Sequence, residues 1–277
     1  MDHADVRYLE SKRTVDRRAR SRRVRDALLA ALPAAPDVVE VGAGTGAFVR
    51  DLLEWGVRGS YRGVDRAEPL VARARETLPG DLADDYAVER TGNGFVAADL
   101  SVRFEAGDAL ALSPGAADLV VGQAVLDLVP IGAAMDAVER ALTPGGLAYL
   151  PITFDGVTLF QPDHPGDDAV IDAYHAHIDA REGRDSRAGR HLLDHLRDRE
   201  GELLAVDASD WIVRPRGGTY PADERYFLEC ILGFVADALG ERGVDADDWL
   251  AARRRHLADA ALAYVAHQYD FLYRAPG

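Results

Sequence analysis

The expected fold is decided by one stretch of the sequence, VVEVGAGTG at positions 38–46. A strand-like run, Val38–Val41, leads directly into Gly42, Gly44 and Gly46, and a helical pattern begins near Phe48. Glycines tolerate positive φ angles and let a ligand approach the backbone closely, while the next helix offers unpaired N–H groups. The stretch therefore predicts a strand, a ligand-binding turn and a helix.

Short β-rich runs alternate with helical stretches after this unit. Together with Val38–Val41, strands are expected at Tyr61–Val64, Val102–Glu105, Leu119–Val121, Leu147–Thr153, Leu203–Val213 and Leu262–Tyr273. Helices are expected at Val6–Leu32, Phe48–Trp55, Pro69–Leu78, Ala133–Leu142, Asp168–Arg181, Arg187–Arg199, Asp223–Leu239 and Asp247–Ala261. The alternation up to residue 153 predicts a parallel sheet with right-handed crossovers.

The sequence thus predicts an α/β protein with a doubly wound, mostly parallel, seven-stranded sheet. We expect a helical N-terminal arm or lid at residues 1–33 and a ligand-binding core at residues 34–154. Residues 155–277 are expected to hold the rest of the sheet and a helical cap over the substrate. Helices at the carboxyl edge of such a sheet usually cover the ligand crevice.

Composition and charge exclude several classes of protein. The chain has 277 residues, a formal net charge of −15 and a single cysteine, Cys230, which excludes intrachain disulfides and multi-cysteine metal sites. No apolar run approaches the roughly 20 residues of a membrane span, and the N-terminus lacks the apolar core of a signal peptide. We therefore expect a cytoplasmic protein.

The acidic body is expected to repel phosphate backbones, which argues against nucleic acid as a general partner. The segment Arg7–Arg25 is an exception, because it contains nine basic and two acidic residues. Pairing of these arginines with the acidic body is the simplest interpretation. RNA binding by the arm remains open at this point.

The glycine spacing alone does not identify the ligand. It also fits G-x-G-x-x-A through Ala47, a pattern of nicotinamide and flavin dinucleotide enzymes. Asp65 ends the second expected strand, where a carboxylate can accept both ribose hydroxyls with either kind of cofactor. A NAD(P)-dependent Rossmann enzyme is therefore an alternative.

Three further features separate the alternatives. Glu40 lies two residues before the first glycine, Asp108 follows the third strand in the stretch FEAGDA, and the turn LTPGG at 142–146 precedes the fifth strand. Over residues 38–153 the set resembles the class I S-adenosylmethionine-dependent methyltransferases. The resemblance implies a Rossmann-like enzyme that binds S-adenosyl-L-methionine and releases S-adenosyl-L-homocysteine.

The resemblance also implies which residues contact the cofactor. The glycine loop and Glu40 would hold the methionine end, Asp65 the ribose and Asp108 the adenine amino group. The complete expected set is Glu40, Gly42, Ala43, Gly44, Gly46, Asp65, Arg66, Asp108, Ala109 and Gln123.

The stretch GQAVLD at 122–127 bears on the methyl acceptor. It lacks the Asn/Asp-Pro-Pro-aromatic motif of nucleic-acid amino-methyltransferases and instead resembles the variable loop of small-molecule methyltransferases. We predict Asp127, Tyr174 and His175 as catalytic residues. Asp155, Asp210, Trp211 and Tyr226 are predicted to contact the acceptor, and no spacing of histidines predicts a metal site.

The predicted function is in-line methyl transfer to a small-molecule acceptor. Three alternatives stay open: an RNA-modifying methyltransferase that uses the basic arm, a NAD(P)-dependent enzyme, and a non-catalytic protein that binds S-adenosylmethionine. Tyr8, Lys12 and Arg13 of the arm are expected near the cofactor carboxylate. The sequence leaves the acceptor atom and the oligomeric state undetermined, with a homodimer as one option.

Overall fold

A continuous sheet runs through the protein, and the computed structural model describes residues 5–277. The first four residues of the expected arm lie outside the described residues. The strands are β1 (Asp37–Val41), β2 (Gly59–Asp65), β3 (Val88–Thr91), β4 (Gly94–Ala97), β5 (Leu100–Ala106), β6 (Ala117–Val121), β7 (Leu142–Gln161), β8 (Glu202–Ala208), β9 (Trp211–Val213) and β10 (Ala263–Arg274). The helices are α1 (Val6–Ser11), α2 (Arg13–Ala19), α3 (Arg22–Ala31), α4 (Phe48–Glu54), α5 (Glu68–Ala83), α6 (Ile131–Ala141), α7 (Asp167–Asp179), α8 (Ala188–Arg197), α9 (Glu224–Glu241) and α10 (Asp247–Ala258).

The strand order within residues 5–277 is β3-β4-β5-β2-β1-β6-β7-β10-β8, and β9 pairs with β10. Strands β5, β2, β1, β6 and β7 are parallel to their neighbours in this series, whereas β10 is antiparallel to both β7 and β8. Seven strands, β5-β2-β1-β6-β7-β10-β8, therefore form the predicted doubly wound, mostly parallel sheet. The β3–β4 hairpin and β9 extend it.

Two expected elements are divided in the structure. The predicted helix Val6–Leu32 consists of three helices. The break between α2 and α3 arises because Arg20 adopts an extended ψ of 134° and the Ser21 side chain accepts the Val24 N–H to begin α3. The predicted strand Leu203–Val213 is interrupted at Ser209–Asp210, which separates β8 from β9. The β3–β4 hairpin was not predicted, although the residues TGNG at 91–94 carry a turn signal.

Apolar residues pack on both faces of the sheet. Helices α3, α4 and α5 cover one face, with Leu28 and Phe48 in the core, and α6 and α8 cover the other, with Met135 and Leu192. A third cluster of buried side chains lies where α1, α2, α9 and α10 pack on the outer parts of β7 and β10. Strand β7 continues through residue 154, where the sequence predicts the boundary between the ligand-binding core and the cap. That domain boundary stays a prediction.

An irregularity in β7 faces a buried carboxylate. Leu150 and Thr153 pair with Phe271 and Tyr269, so that two residues of β7, Pro151 and Ile152, lie opposite the single residue Asp270. Ile152 has a φ of +60°, which is unusual for a β-branched residue, and its N–H donates to Asp270 Oδ1 at 2.9 Å. This bulge fixes the direction of the outer half of β7.

Asp270 also connects the N-terminal arm to the sheet through a hydrogen bond with Ser21. It is fully buried, and its Oδ2 accepts the Ser21 N–H at 2.8 Å and the Tyr149 hydroxyl at 3.4 Å. Arginines of the arm contact acidic side chains of the body in the pairs Arg7–Asp223, Arg17–Glu54, Arg18–Glu224 and Arg20–Asp51, at 2.7–2.8 Å. These pairs support the interpretation that the basic segment neutralises the acidic body.

No helix in residues 5–277 is long and apolar enough to span a membrane.

Candidate active site

A cavity of about 520 Å³ opens at the carboxyl ends of the central strands. Its wall includes Gly44 after β1, Asp65 at the end of β2, Asp108 after β5 and Gln123 after β6. From β1 the chain continues to β2 and β5 on one side, and it then returns to form β6 and β7 on the other side. The carboxyl edge between β1 and β6 is therefore the topological switch point of the sheet. Open α/β sheets bind their ligands at that point.

The glycine loop has two distinct parts. Gly42 and Gly44, with φ of +66° and +54°, line the cavity, and a Cβ atom on Gly42 would lie 2.6 Å from Val125 Cγ2. Gly46 instead packs inward, because a Cβ atom there would lie 2.5 Å from Phe104 Cζ. Gly46 and Ala43 are not in the cavity wall, and their contact with a ligand stays a prediction.

The acidic residues at the strand ends retain capacity for a ligand. Asp65 accepts the N–H groups of Gly44 and Ala67, each at 2.9 Å, and Asp108 accepts the Leu110 N–H at 2.9 Å. An ionised carboxylate has about four acceptor positions, so both can accept further donors. Arg66 and Ala109, the other two expected contacts here, also lie in the cavity wall.

Glu40 lies beneath the loop rather than in the cavity wall. It is 3% exposed and accepts a hydrogen bond from the Tyr61 hydroxyl. Burial raises the pKa of Glu40 to about 8, opposed by the Tyr61 hydrogen bond and by the charge of Arg20. Glu40 does not line the cavity, and its expected contact with the methionine end of the cofactor stays a prediction.

Asp127 and Tyr174 both lie in the cavity wall, where the charge of Asp127 acts on Tyr174. Asp127 Oδ1 is buried and has no hydrogen-bond partner within residues 5–277. Burial raises the pKa of Asp127 to about 6, while the charges of Lys12 and Arg184 oppose the shift. Burial, with a contribution from Asp127, raises the pKa of Tyr174 to about 12. Near neutral pH the site thus holds one available base and one phenol that stays protonated.

Four predicted residues lie outside the cavity wall. His175 contacts Thr158 Oγ1 at 3.0 Å, Asp155 pairs with Arg190 at 2.9 Å, Asp210 pairs with His267 at 2.7 Å, and Tyr226 packs under the Arg7 guanidinium. His175 is displaced because α7 turns Tyr174, His177 and Ile178 toward the cavity, at the i, i+3, i+4 spacing of one helix face. The spacing of three residues from Tyr174 is the sequence signal that indicates His177, and not His175, as the histidine in the cavity wall.

The remaining wall is mostly apolar. Trp211, the fourth predicted acceptor contact, is part of it. The wall also contains apolar and aromatic residues that the sequence analysis did not predict as site residues: Leu9, Ile152, Phe154, Ile231, Phe234 and Tyr264. In the sequence these residues have the pattern of an ordinary core, and only the packing of α9 and β10 shows that they border a cavity.

The arm contributes a side of the cavity. Tyr8 and Lys12 lie in its wall, and Arg13 donates to Thr45 Oγ1 of the glycine loop at 3.1 Å. The nearness of these three residues to a cofactor carboxylate stays a prediction. The described residues, 5–277, contain no group of three or more His, Cys, Asp or Glu side chains that could hold a metal ion.

Comparison with known proteins finds a family match for the central part of the chain. Residues 39–150 match the model of a family described as a methyltransferase domain. A Bacillus halodurans C-125 structure, provisionally named a methyltransferase, is 13% identical, with 92% of this chain and 99% of that chain covered and a TM-score of 0.56. The YcgJ protein of Bacillus subtilis is 14% identical, with 91% and 97% covered and a TM-score of 0.52. A sequence search of the curated proteins found no match.

The strand order agrees with this assignment and not with a dinucleotide enzyme. The common dinucleotide-binding sheet continues in parallel order 3-2-1-4-5-6, whereas here the antiparallel β10 is inserted between β7 and β8. The two solved structures share this fold across nearly the whole chain. Residues 39–150 therefore match the methyltransferase-domain family, and the chain as a whole has the fold of the two solved structures.

Proposed function

We propose that this enzyme methylates a small molecule that binds in the cavity beside Asp127 and Tyr174, with Asp127 as the general base. The observation that carries the proposal is the Asp127 carboxylate, which lies in a largely apolar wall and has a pKa raised to about 6. A base whose pKa lies near the working pH is largely ionised and still has a high affinity for the proton that it accepts.

The residues at the carboxyl ends of the strands fit S-adenosylmethionine. Asp65 and Asp108 suit a ribose diol and an adenine amino group, and two carboxylates would repel a pyrophosphate. Gly42 and Gly44 allow close approach of the ligand to the backbone. When bound, this cofactor supplies a methyl group on a sulfonium, which is already activated for transfer.

The chain's own residues would then orient the acceptor, exclude water and remove a proton. Asp127 would accept the proton from an acceptor hydroxyl or amine, and the Tyr174 hydroxyl would donate a hydrogen bond that orients the acceptor. Phe154, Trp211 and Tyr264 exclude water and favour a ligand with an apolar or aromatic body. Alignment of this kind accounts for a large part of the rate in many enzymes.

Two observations favour a small molecule over RNA. The acceptor region is lined by residues of α7, α9 and the arm, and the arginines Arg7, Arg17 and Arg18 already contact acidic side chains. The decisive experiment incubates the enzyme with labelled S-adenosylmethionine and a metabolite extract, followed by mass spectrometry. We expect label in a low-molecular-weight product; label only in RNA, DNA or protein would contradict the proposal.

Asp65→Ala is expected to weaken binding of S-adenosylhomocysteine at least tenfold, about 1.4 kcal/mol, because the ribose loses its acceptor. Calorimetry measures the change directly. Asp99→Ala is the matched control, since Asp99 is exposed at the other edge of the sheet and forms only a long pair with Arg58. Equal affinities for the two variants, or saturable NADH binding, would contradict the cofactor assignment.

A further inference from the structure

Asp16 on α2 lies where the arm, the loop after β6 and β9 meet. Its carboxylate is 3% exposed and accepts hydrogen bonds from Gln123 Nε2 at 3.1 Å and from Trp211 Nε1 at 2.9 Å. The Lys12 ammonium lies 3.4 Å from Asp16 Oδ2. One side chain of the arm thus contacts two residues of the cavity wall.

This contact determines which way the Gln123 amide faces. A carboxylate only accepts hydrogen bonds, so the NH₂ group of the amide must point toward Asp16. The amide oxygen therefore points away from Asp16, and it is buried without a hydrogen-bond partner in residues 5–277. An unsatisfied buried carbonyl is destabilising, and a hydrogen-bond donor on a ligand would remove that penalty.

The order of the strands indicates which part of the cofactor approaches this oxygen. Asp108, Asp65, the glycine loop and Gln123 follow β5, β2, β1 and β6, which are adjacent in that order. With adenine assigned to Asp108 and ribose to Asp65, the methionine segment extends toward the loop after β6. Its ammonium group is a hydrogen-bond donor with three N–H bonds.

We propose that Asp16 is a positioning residue that holds the Gln123 amide so that its oxygen accepts a hydrogen bond from the cofactor ammonium. This inference rests on the proposed function, because it concerns the ligand of the same cavity. It also gives the arm a specific task, since Asp16 acts on the cofactor through Gln123 and not by direct contact.

Asp16→Asn tests the orientation with almost no change in shape. The indole N–H of Trp211 can only donate, so the asparagine oxygen must face Trp211 and the asparagine NH₂ must face Gln123. The Gln123 amide then has to turn over and present its own NH₂ to the ammonium. We expect the Kd for S-adenosylhomocysteine, measured by calorimetry, to rise at least tenfold.

A double-mutant cycle separates orientation from loss of charge. Gln123→Met removes the amide oxygen, and Asp16→Asn should cause no further loss of affinity in that background. Combining Asp16→Asn with Gln123→Glu should restore the Kd to within about threefold of wild type, because a carboxylate can accept from Asn and from the ammonium together. A loss that persists in the Gln123→Met background would show a charge effect and overturn the inference.

The results also distinguish this inference from the proposed function. If the wild-type protein does not bind S-adenosylhomocysteine, both fail. If the wild type binds it and Asp16→Asn changes the Kd less than twofold, only the role of Asp16 fails. Should the single variant not fold, the complementary Asp16→Asn, Gln123→Glu pair decides, and a Kd more than tenfold above wild type would overturn the role.

Discussion

Replacing Asp127 with asparagine is expected to lower kcat for methyl transfer about 100-fold or more while binding of S-adenosylhomocysteine changes little. A positioned general base typically contributes between about 10²-fold and 10⁴-fold, and asparagine cannot accept the acceptor's proton. The acceptor found by the labelled screen serves as substrate. Glu241→Gln is the matched control, because Glu241 lies in the same cavity wall but is exposed and pairs with Arg181.

The same carboxylate predicts the pH dependence of the reaction. Burial raises the pKa of Asp127 to about 6, and only the ionised form can accept a proton. The rate should therefore rise with pH and level off above an apparent pKa of about 6, or lower when the positive sulfonium is bound. A pH-independent rate in the wild type, or a rate in Asp127→Asn within threefold of wild type, would exclude Asp127 as the base.

Replacing Asp270 with alanine is expected to destabilise the fold by about 3–5 kcal/mol. The buried N–H groups of Ser21 and Ile152 would lose their acceptor, and a cavity would remain beside Tyr149. For a chain of this length the melting temperature should fall by roughly 10 °C. Thermal or urea unfolding of the ligand-free protein measures the loss.

Asp207→Ala is the control for this prediction. Asp207 also accepts a hydrogen bond from Ser21, from its hydroxyl at 2.7 Å, but it is only half-buried and water can replace it. We expect a loss below about 1 kcal/mol for that variant. Similar losses for the two variants would show that burial of Asp270 does not matter, and would contradict its role as the fastening point of the arm.

The sequence predicted the parts of the protein that follow local rules. The apolar runs of β1, β2, β5 and β6 and the glycines between β1 and α4 gave the sheet and its ligand edge, because both patterns are written in adjacent residues. The strand-end residues Asp65 and Asp108 followed from that frame, and the structure places both in the cavity wall.

Long-range packing explains what the sequence did not predict. Whether Glu40 faces a ligand or Tyr61 depends on a partner in a neighbouring strand. Asp155 looked like a site residue because it follows the fifth strand directly, but it is directed toward Arg190 on α8. The apolar wall around Phe234 and Tyr264 depends on how α9 packs against β10, and no local sequence pattern predicts that packing.

The extra residue in β7 exchanges the two faces of that strand. Before the bulge, the odd-numbered Tyr149 packs on the α4 side and the even-numbered Leu150 on the α8 side. After it, the even-numbered Phe154 faces the cavity, and Asp155 faces α8. A change of one residue in chain length here would turn the acceptor wall to the opposite face in a single step, whereas a change of two residues would preserve it.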